Sequence, residues 1–209
     1  MLSHVLKHLE VLVSHDTRNP PRAITTGGIF DYIREQLPDF TVEVTDHGAG
    51  AVSLFAVRGQ PKRIINVHLD TVPSSPAWTA DPLRLRVTEH RAIGLGACDT
   101  KGAAACLTAA ARVTQGEVAF LFSSDEEAND PRCIAAFLAS DHGFKEAIIA
   151  EPTQGQAVLA HRRQMGGFEP QPGPFGEGQW GRADFGAIVV VHRAVGLERS
   201  ASGRVDAPG

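Results

Sequence analysis

The sequence predicts an α/β fold, a three-layer sandwich of helices around a largely parallel or mixed sheet. Short apolar runs typical of strands alternate with helical runs from residue 41 onward, and this alternation is typical of α/β proteins. Residues 118–122 form a continuous apolar run, as expected for a strand that is buried on both faces of a sheet. Several strand-like runs end in acidic residues or histidine, and open α/β sheets bind ligands beyond the carboxyl ends of their strands.

Two helices are predicted before the first strand, at residues 5–13 and from residue 25 or 26 to residue 37. Apolar residues recur at helical spacing in both, and prolines follow both. The later elements follow from apolar alternation and from turn-forming glycine and proline. Strands are predicted at residues 41–45, 52–57, 64–67, 83–88, 118–122, 147–150, 157–160 and 186–192, and helices at residues 102–113 and 132–140.

Composition excludes several classes of partner. The 209-residue chain has a formal net charge of -4 and no run of five basic residues, so no nucleic-acid partner is predicted. It has no apolar run of about 18 residues, so no membrane partner is predicted. Polar residues interrupt its first ten positions, unlike the apolar core of a signal peptide, and we therefore expect a cytoplasmic protein. The length allows one well-buried domain, or one domain plus part of a second.

Asp99 lies in the glycine-rich stretch 94–102, directly before the predicted Ala-rich helix. Aspartate is favoured as a helix N-cap, and this interpretation is the better one for Asp99 taken alone. The stretch lacks the GxxxxGK[ST] spacing of a phosphate-binding loop. Metal-competent residues elsewhere in the chain favour a second interpretation, in which Asp99 is a ligand.

These metal-competent residues follow three predicted strands. His68 and Asp70 follow the strand at 64–67, Glu126 and Glu127 follow the strand at 118–122, and Glu151 follows the strand at 147–150. Each group also has an ordinary explanation by itself. His68 and Asp70 fit a hydrogen-bonded surface pair, Glu126 and Glu127 fit a solvated loop, and Glu151 fits a turn cap. Because carboxyl ends of parallel strands meet at one edge of a sheet, we expect all of them to converge with Asp99 on one crevice.

Five sequence blocks follow one another along the chain: His68-Leu69-Asp70-Thr71-Val72-Pro73, Trp78 with Asp81-Pro82-Leu83, Gly96-Ala97-Cys98-Asp99-Thr100-Lys101-Gly102, Ser124-Asp125-Glu126-Glu127 and Ala150-Glu151-Pro152-Thr153. In this order they resemble the dizinc aminoacylase and carboxypeptidase family of metallopeptidases. That family includes acetylornithine deacetylase, succinyl-diaminopimelate desuccinylase and glutamate carboxypeptidase. The resemblance covers roughly residues 1–162 and, within the family, is strongest to the acetylornithine and N-acetylcitrulline deacetylases of arginine biosynthesis.

The resemblance implies a zinc-aminopeptidase-like catalytic domain with two divalent metal ions, Zn²⁺ or Co²⁺. His68 and Glu151 would bind the first metal, Asp99 would bridge the two, and Glu127 would bind the second. Among the catalytic residues, Asp70 would fix the tautomer of His68. Glu126 would act as the general base that takes a proton from water and returns it to the leaving amine.

The implied activity is removal of the acetyl group from a small N-acyl amino acid, N-acetylcitrulline or N-acetylornithine, by a protein that is a homodimer in the family. Two alternatives stay open. One is a carboxypeptidase or dipeptidase of the same family. The other is an inactive remnant that binds one metal through His68, Asp99 and Glu151.

Residues 163–209 depart from the family pattern. They contain ten Gly and four Pro and no Lys, Asn or Thr, a composition close to that of low-complexity segments. They lack the lid-domain histidine that the family uses to bind the oxyanion, and no family motif surrounds His192 to support a role as the last metal ligand. We therefore predict two regions: a metal-binding catalytic part at 1–162, and an atypical tail at 163–209 that is read out of frame.

Overall fold

The computed structural model describes residues 1–153 and the strand 190–193. The strand predicted at 157–160 lies outside the described residues. So does the atypical tail 163–209, apart from residues 190–193. The helices are α1 (Leu2–Ser14), α2 (Ile29–Gln36), α3 (Lys101–Val113) and α4 (Arg132–Leu138). The strands are β1 (Thr41–Asp46), β2 (Val52–Arg58), β3 (Arg63–His68), β4 (Arg86–Val87), β5 (Ala92–Ile93), β6 (Val118–Ser123), β7 (Glu146–Ile149) and β8 (Val190–Arg193).

The main sheet is mixed, and its strand order is β1-β2-β6-β3-β7-β8. Strand β3 pairs in parallel with β6 on one side and with β7 on the other. The pairs β1-β2, β2-β6 and β7-β8 are antiparallel. Helix α3 connects β3 to β6, and α4 connects β6 to β7. The prediction of an α/β fold around a mixed sheet is confirmed.

Strand β6 contributes side chains to both faces of the sheet, as its continuous apolar sequence predicts. Phe120 and Phe122 point into the larger core, which contains buried side chains of α1, α2 and α3. Ala119 and Leu121 point to the opposite face, where Phe137 of α4 packs against them. This alternation follows from the two-residue period of a strand, and it places helices on both faces of the described sheet.

The structure departs from the sequence prediction at α2 and β4, and it contains β5, which the sequence did not predict. Helix α2 begins at Ile29 and not at residue 25 or 26, since Gly28 before it has a φ of +61°, outside the helical region. The strand predicted at 83–88 is reduced to β4, which pairs with β5 in a separate two-stranded sheet. Asp81 causes the shortening, because its side chain and its carbonyl accept the amides of Leu83 and Arg84 in a turn.

Among the helices in the described part of the chain, none combines the length and the apolar character that crossing a bilayer would require. This agrees with the sequence, which contains no uninterrupted apolar run of about 18 residues.

Gly96 allows the glycine-rich stretch to pass close to the segment that follows β3. Its φ is +76°, and a Cβ at this position would lie 2.6 Å from the Thr71 Cγ2 atom. Residues other than glycine rarely adopt that backbone conformation. The stretch can therefore reach this position only with glycine here.

We expect Gly96→Ala to lower the free energy of unfolding by about 1–3 kcal/mol, because it adds both backbone strain and a steric clash. Gly116→Ala is the matched control, since nothing lies within 4 Å of a Cβ built there, and we expect a change within about 0.5 kcal/mol. Urea denaturation measures both values. Equal stability of the two variants would contradict this description of the turn.

Candidate metal centre

The central parallel strands bring the predicted site residues to one edge of the sheet. His68 is the last residue of β3, and it is in register with Ser123 at the end of β6. Asn66 of β3 is in register with Ile149 at the end of β7. The chain therefore leaves β6 toward Glu126 and Glu127, and leaves β7 toward Glu151, at the edge where His68 lies.

His68 is buried, with 3% of its surface exposed. Its Nδ1 lies 3.0 Å from the backbone oxygen of Asp70. Because a carbonyl oxygen can only accept, Nδ1 is the donor, and the neutral ring has its lone pair on Nε2. That Nε2 lies 3.0 Å from Asp99 Oδ1 and 3.9 Å from Glu151 Oε1. Nε2 therefore faces two carboxylates. It carries a proton while the ring is charged, and it is the nitrogen that a metal would bind in the neutral ring.

Asp99 does not cap the helix that follows it. The N-cap of α3 is Thr100, and no side-chain bond caps this helix end. Thr100 Oγ1 instead donates to the backbone oxygen of His68 at 2.7 Å, which fixes the start of α3 against the end of β3. The N-cap interpretation of Asp99 is therefore wrong, because its carboxylate lies at His68 Nε2.

Asp70 is fully buried and connects the two sides of the site. Its Oδ2 accepts hydrogen bonds from the backbone amide of Glu127 and from the Asn19 side chain, both at 3.0 Å. Its Oδ1 lies 3.4 Å from His68 Nδ1. The carboxylate is thus held between the β3 end and the loop that carries Glu126 and Glu127.

The loop after β6 is fixed by its first two side chains. Ser124 Oγ accepts the amide of Val52 at 2.9 Å and donates to the Gly50 carbonyl at 3.0 Å. Asp125 Oδ2 accepts the amide of Cys133 in α4 at 2.8 Å. These bonds hold the loop to the β1-β2 turn and to α4, so the two glutamates that follow start from a defined backbone position.

Crowding of acidic groups shifts the proton affinities of the metal-free site. Burial lowers the pKa of His68, but hydrogen bonds to Asp70 and Asp99 and the charge of Glu151 outweigh it and raise this pKa to about 11. Burial, together with the neighbouring carboxylates, raises the pKa of Glu127 and of Glu151 to about 7 each. Glu126 is shifted upward for the same reasons, with burial as the largest cause of its raised pKa. Such crowding is unfavourable unless positive charge is present.

Two overlapping sets of side chains have the geometry to hold a cation. In each set the ligand atoms all lie within 4.8 Å of one another. One set is His68, Asp99 and Glu151, and the other is His68, Glu126 and Glu127. The donor types, one imidazole nitrogen with carboxylate oxygens, fit zinc and related divalent ions. The structure therefore brings together every residue that the sequence predicted for the site, whereas the role of each stays a prediction.

Asn19 is the residue of this region that the sequence analysis missed. Its Nδ2 donates to Asp70 Oδ2 and, at 3.1 Å, to the Ser124 carbonyl. Its signal in the sequence is that two prolines follow it, and prolines at this place indicate the end of a helix rather than a site residue. A polar residue in a loop has no periodicity that would indicate burial.

Comparisons with known proteins agree with this geometry. Residues 64–194 match peptidase family M20/M25/M40, so the match continues past Arg162, and the region boundary predicted there stays a prediction. An N-acetyl-L-citrulline deacetylase from Xanthomonas campestris pv. campestris is 68% identical over 163 residues, 78% of this chain and 44% of that protein. A succinyl-diaminopimelate desuccinylase from Wolinella succinogenes is 32% identical over 176 residues, 78% of this chain and 47% of that protein.

The fold agrees with a solved structure at much lower sequence identity. Human carnosine dipeptidase 1 superposes with a TM-score of 0.59 at 16% identity, over 71% of this chain and 38% of that one. The chain spans less than half the length of the curated relatives named above. The family match covers more than half of the chain. This match shows that the chain belongs to peptidase family M20/M25/M40, in agreement with the five motif blocks and with the convergence of their acidic residues at His68.

Proposed function

We propose that this chain is a metal-dependent hydrolase that removes the acetyl group from an N-acetyl amino acid, N-acetylcitrulline or N-acetylornithine, in cytoplasmic arginine biosynthesis. The observation that carries the proposal is the cluster of His68, Asp99 and Glu151, whose ligand atoms lie within 4.8 Å of one another at the end of the central strands. The 68% identity to an N-acetyl-L-citrulline deacetylase supports the choice of substrate.

His68, Asp99 and Glu151 would hold the first ion, and Asp99 with Glu127 would hold a second. Bound Zn²⁺ or Co²⁺ supplies Lewis-acid polarisation of the amide carbonyl and lowers the pKa of water. The site residues fit that role because His68 presents Nε2 while its Nδ1 donates to the backbone of Asp70.

Glu126 would do the proton chemistry of the reaction. Water adds to the acetyl carbonyl carbon while Glu126 accepts its proton, and the carbon–nitrogen bond then breaks as Glu126 returns that proton to the leaving amine. The products are acetate and the free amino acid. Burial raises the pKa of the Glu126 carboxyl, which brings its proton affinity closer to that needed for general base catalysis near neutral pH. Asp70 would keep His68 in position.

Two alternatives have different expected outcomes. A carboxypeptidase or dipeptidase of the same family would bind the same ions but cleave a peptide substrate. A non-catalytic chain would bind one ion through His68, Asp99 and Glu151 and hydrolyse nothing. A homodimer is a further prediction from the family. Metal content per chain, turnover of N-acetyl amino acids and turnover of dipeptides separate these possibilities.

Activity tests the proposed function. The zinc-loaded chain is expected to release acetate from N-acetylcitrulline, and a chelator is expected to abolish that release. Glu126→Gln removes the proposed base and should lower kcat by about 10²- to 10⁴-fold. The control is Glu89→Gln, whose side chain is 87% exposed and, within the described part of the chain, has a polar contact with His90 alone. Full activity of Glu126→Gln, or turnover that survives complete metal removal, would exclude this function.

Metal binding tests the ligand assignment separately from turnover. Zinc at 100 times its dissociation constant is expected to stabilise the folded chain by about 2.7 kcal/mol, because it binds the folded state preferentially. His68→Gln should lose this stabilisation, whereas His90→Gln should keep it, since the His90 side chain is 81% exposed. Thermal unfolding with and without zinc measures both variants. Equal zinc stabilisation of the two would show that His68 is not a ligand.

The metal-free chain is expected to become less stable as the pH rises. The pKa values of Glu127 and Glu151 are raised to about 7 in the folded state, so between about pH 4.5 and 7 the folded chain holds protons that the unfolded chain has released. The raised pKa of His68, about 11, acts in the same direction above about pH 6.5. Zinc should stabilise more at pH 8 than at pH 5.5, because its ligands must be deprotonated.

A double variant isolates this effect. Glu127→Gln combined with Glu151→Gln mimics the protonated acids and should flatten the decrease between pH 5.5 and 8 in chelator, while Glu89→Gln should leave it unchanged. Urea denaturation at the two pH values is the measurement. An unchanged slope in the double variant would mean that these carboxyls are not the groups that titrate.

A further inference from the structure

Asn19 is fixed at the metal site by backbone contacts that do not involve its side chain. The backbone amide of Asn19 donates to the Thr71 carbonyl at 2.8 Å, and the backbone amide of Thr71 donates to the Thr17 carbonyl at 3.0 Å. These bonds hold the segment after α1 alongside the segment after β3. The Asn19 side chain can therefore be replaced without removing the contacts that place its backbone.

The carboxamide of Asn19 has only one satisfactory orientation. Nδ2 lies 3.0 Å from Asp70 Oδ2 and 3.1 Å from the Ser124 carbonyl oxygen, and both partners are acceptors. If the amide were turned over, its oxygen would face two other oxygens. In the observed orientation, Asn19 Oδ1 is buried without a hydrogen-bond partner among the described residues.

The two donated hydrogen bonds act on both sides of the site. One holds Asp70 Oδ2, which also accepts the Glu127 amide, so that Oδ1 of the same carboxylate lies 3.4 Å from His68 Nδ1. The other holds the backbone of Ser124, two residues before Glu126. Asn19 is thus a second side chain, beside Asp70, that connects the histidine end of β3 with the glutamate loop after β6.

From these contacts we propose that Asn19 is a positioning residue of the metal centre, which orients Asp70 against His68 and fixes the spacing between His68 and the Glu126–Glu127 loop. Among the described residues, its side chain donates to Asp70 Oδ2 and to the Ser124 carbonyl, so it acts on the proposed ligands through these partners. The inference rests on the proposed function, since it assigns Asn19 to the metal site proposed there. Partners that orient metal ligands in this way typically contribute about 10- to 100-fold to metal affinity.

Asn66, in strand β3, offers a matched control. Its Nδ2 donates to the Leu121 carbonyl at 2.9 Å, so it also connects β3 with β6 through a carboxamide. Among the described residues, its side chain forms hydrogen bonds with Leu121 and Ser123 and none with Asp70. Replacement of Asn66 by alanine therefore removes a carboxamide hydrogen bond between β3 and β6, and it leaves the hydrogen bonds to the Asp70 carboxylate in place.

The experiment titrates Co²⁺ into the full chain against a competing chelator and follows the visible spectrum of the bound cobalt. The variants are Asn19→Ala and Asn66→Ala, with Asn19→Leu as a variant that preserves the side-chain volume and removes the unpaired oxygen. Thermal unfolding of each metal-free variant shows that it is folded at the titration temperature. The spectrum reports ligand geometry, which a general loss of stability would not change.

The expected result is about 10- to 100-fold weaker Co²⁺ binding in both Asn19 variants, with an altered cobalt spectrum, and binding within about twofold of the original chain in Asn66→Ala. Unchanged affinity in the Asn19 variants would overturn the inference, as would equal weakening in Asn66→Ala. Failure of both Asn19 variants to fold, while Asn66→Ala folds, would show a purely structural role and would also overturn it. Absence of Co²⁺ binding by the original chain would overturn the proposed function itself.

Discussion

The parallel pairing of β3 with β6 and β7 brings the loops that carry Glu126, Glu127 and Glu151 to the same edge of the sheet as His68. Parallel strands end at the same edge of a sheet, and the register aligns His68 with Ser123 and Asn66 with Ile149. The loops that begin there carry Glu126, Glu127 and Glu151 toward one imidazole. A shift of one residue in this register would turn alternate side chains of β6 away from their cores, so packing and site geometry are fixed by the same pairing.

Concentrating carboxylates around a buried histidine opposes folding unless a cation is bound, and the raised pKa values of Glu127 and Glu151 express that opposition. The surrounding bonds keep the groups together despite it. Thr100 holds the His68 backbone, Asp125 holds α4, and Asp70 accepts bonds from two separate segments. The donors in these hydrogen bonds are a hydroxyl, a carboxamide and backbone amides. They are all neutral, so they hold the site together without adding a charge that would compete with a cation.

Local sequence patterns predicted the fold class and the convergence of the site, because both depend on strand periodicity and on the geometry of parallel strands. At Asp99 the neighbouring residues alone fit a cap as well as a ligand, and only the acidic residues after the other strands favoured the ligand. The contact that excludes the cap is with His68, 31 residues away in the chain, which a local pattern cannot show. Asn19 was missed for the same reason: its partners Asp70 and Ser124 lie 51 and 105 residues away in the chain. The strand predicted at 83–88 was too long, since the turn at Asp81 accepts the backbone amides that a strand would pair.

The central claim is that His68, Asp99 and Glu151 form a metal site at the carboxyl ends of β3 and β7. A crystal of the chain soaked in zinc, with diffraction data collected on both sides of the zinc absorption edge, tests it most directly. The account predicts an anomalous peak about 2.0–2.2 Å from His68 Nε2 and from oxygens of Asp99 and Glu151. Fully occupied zinc elsewhere with no peak at His68, or a peak coordinated through His68 Nδ1, would contradict it.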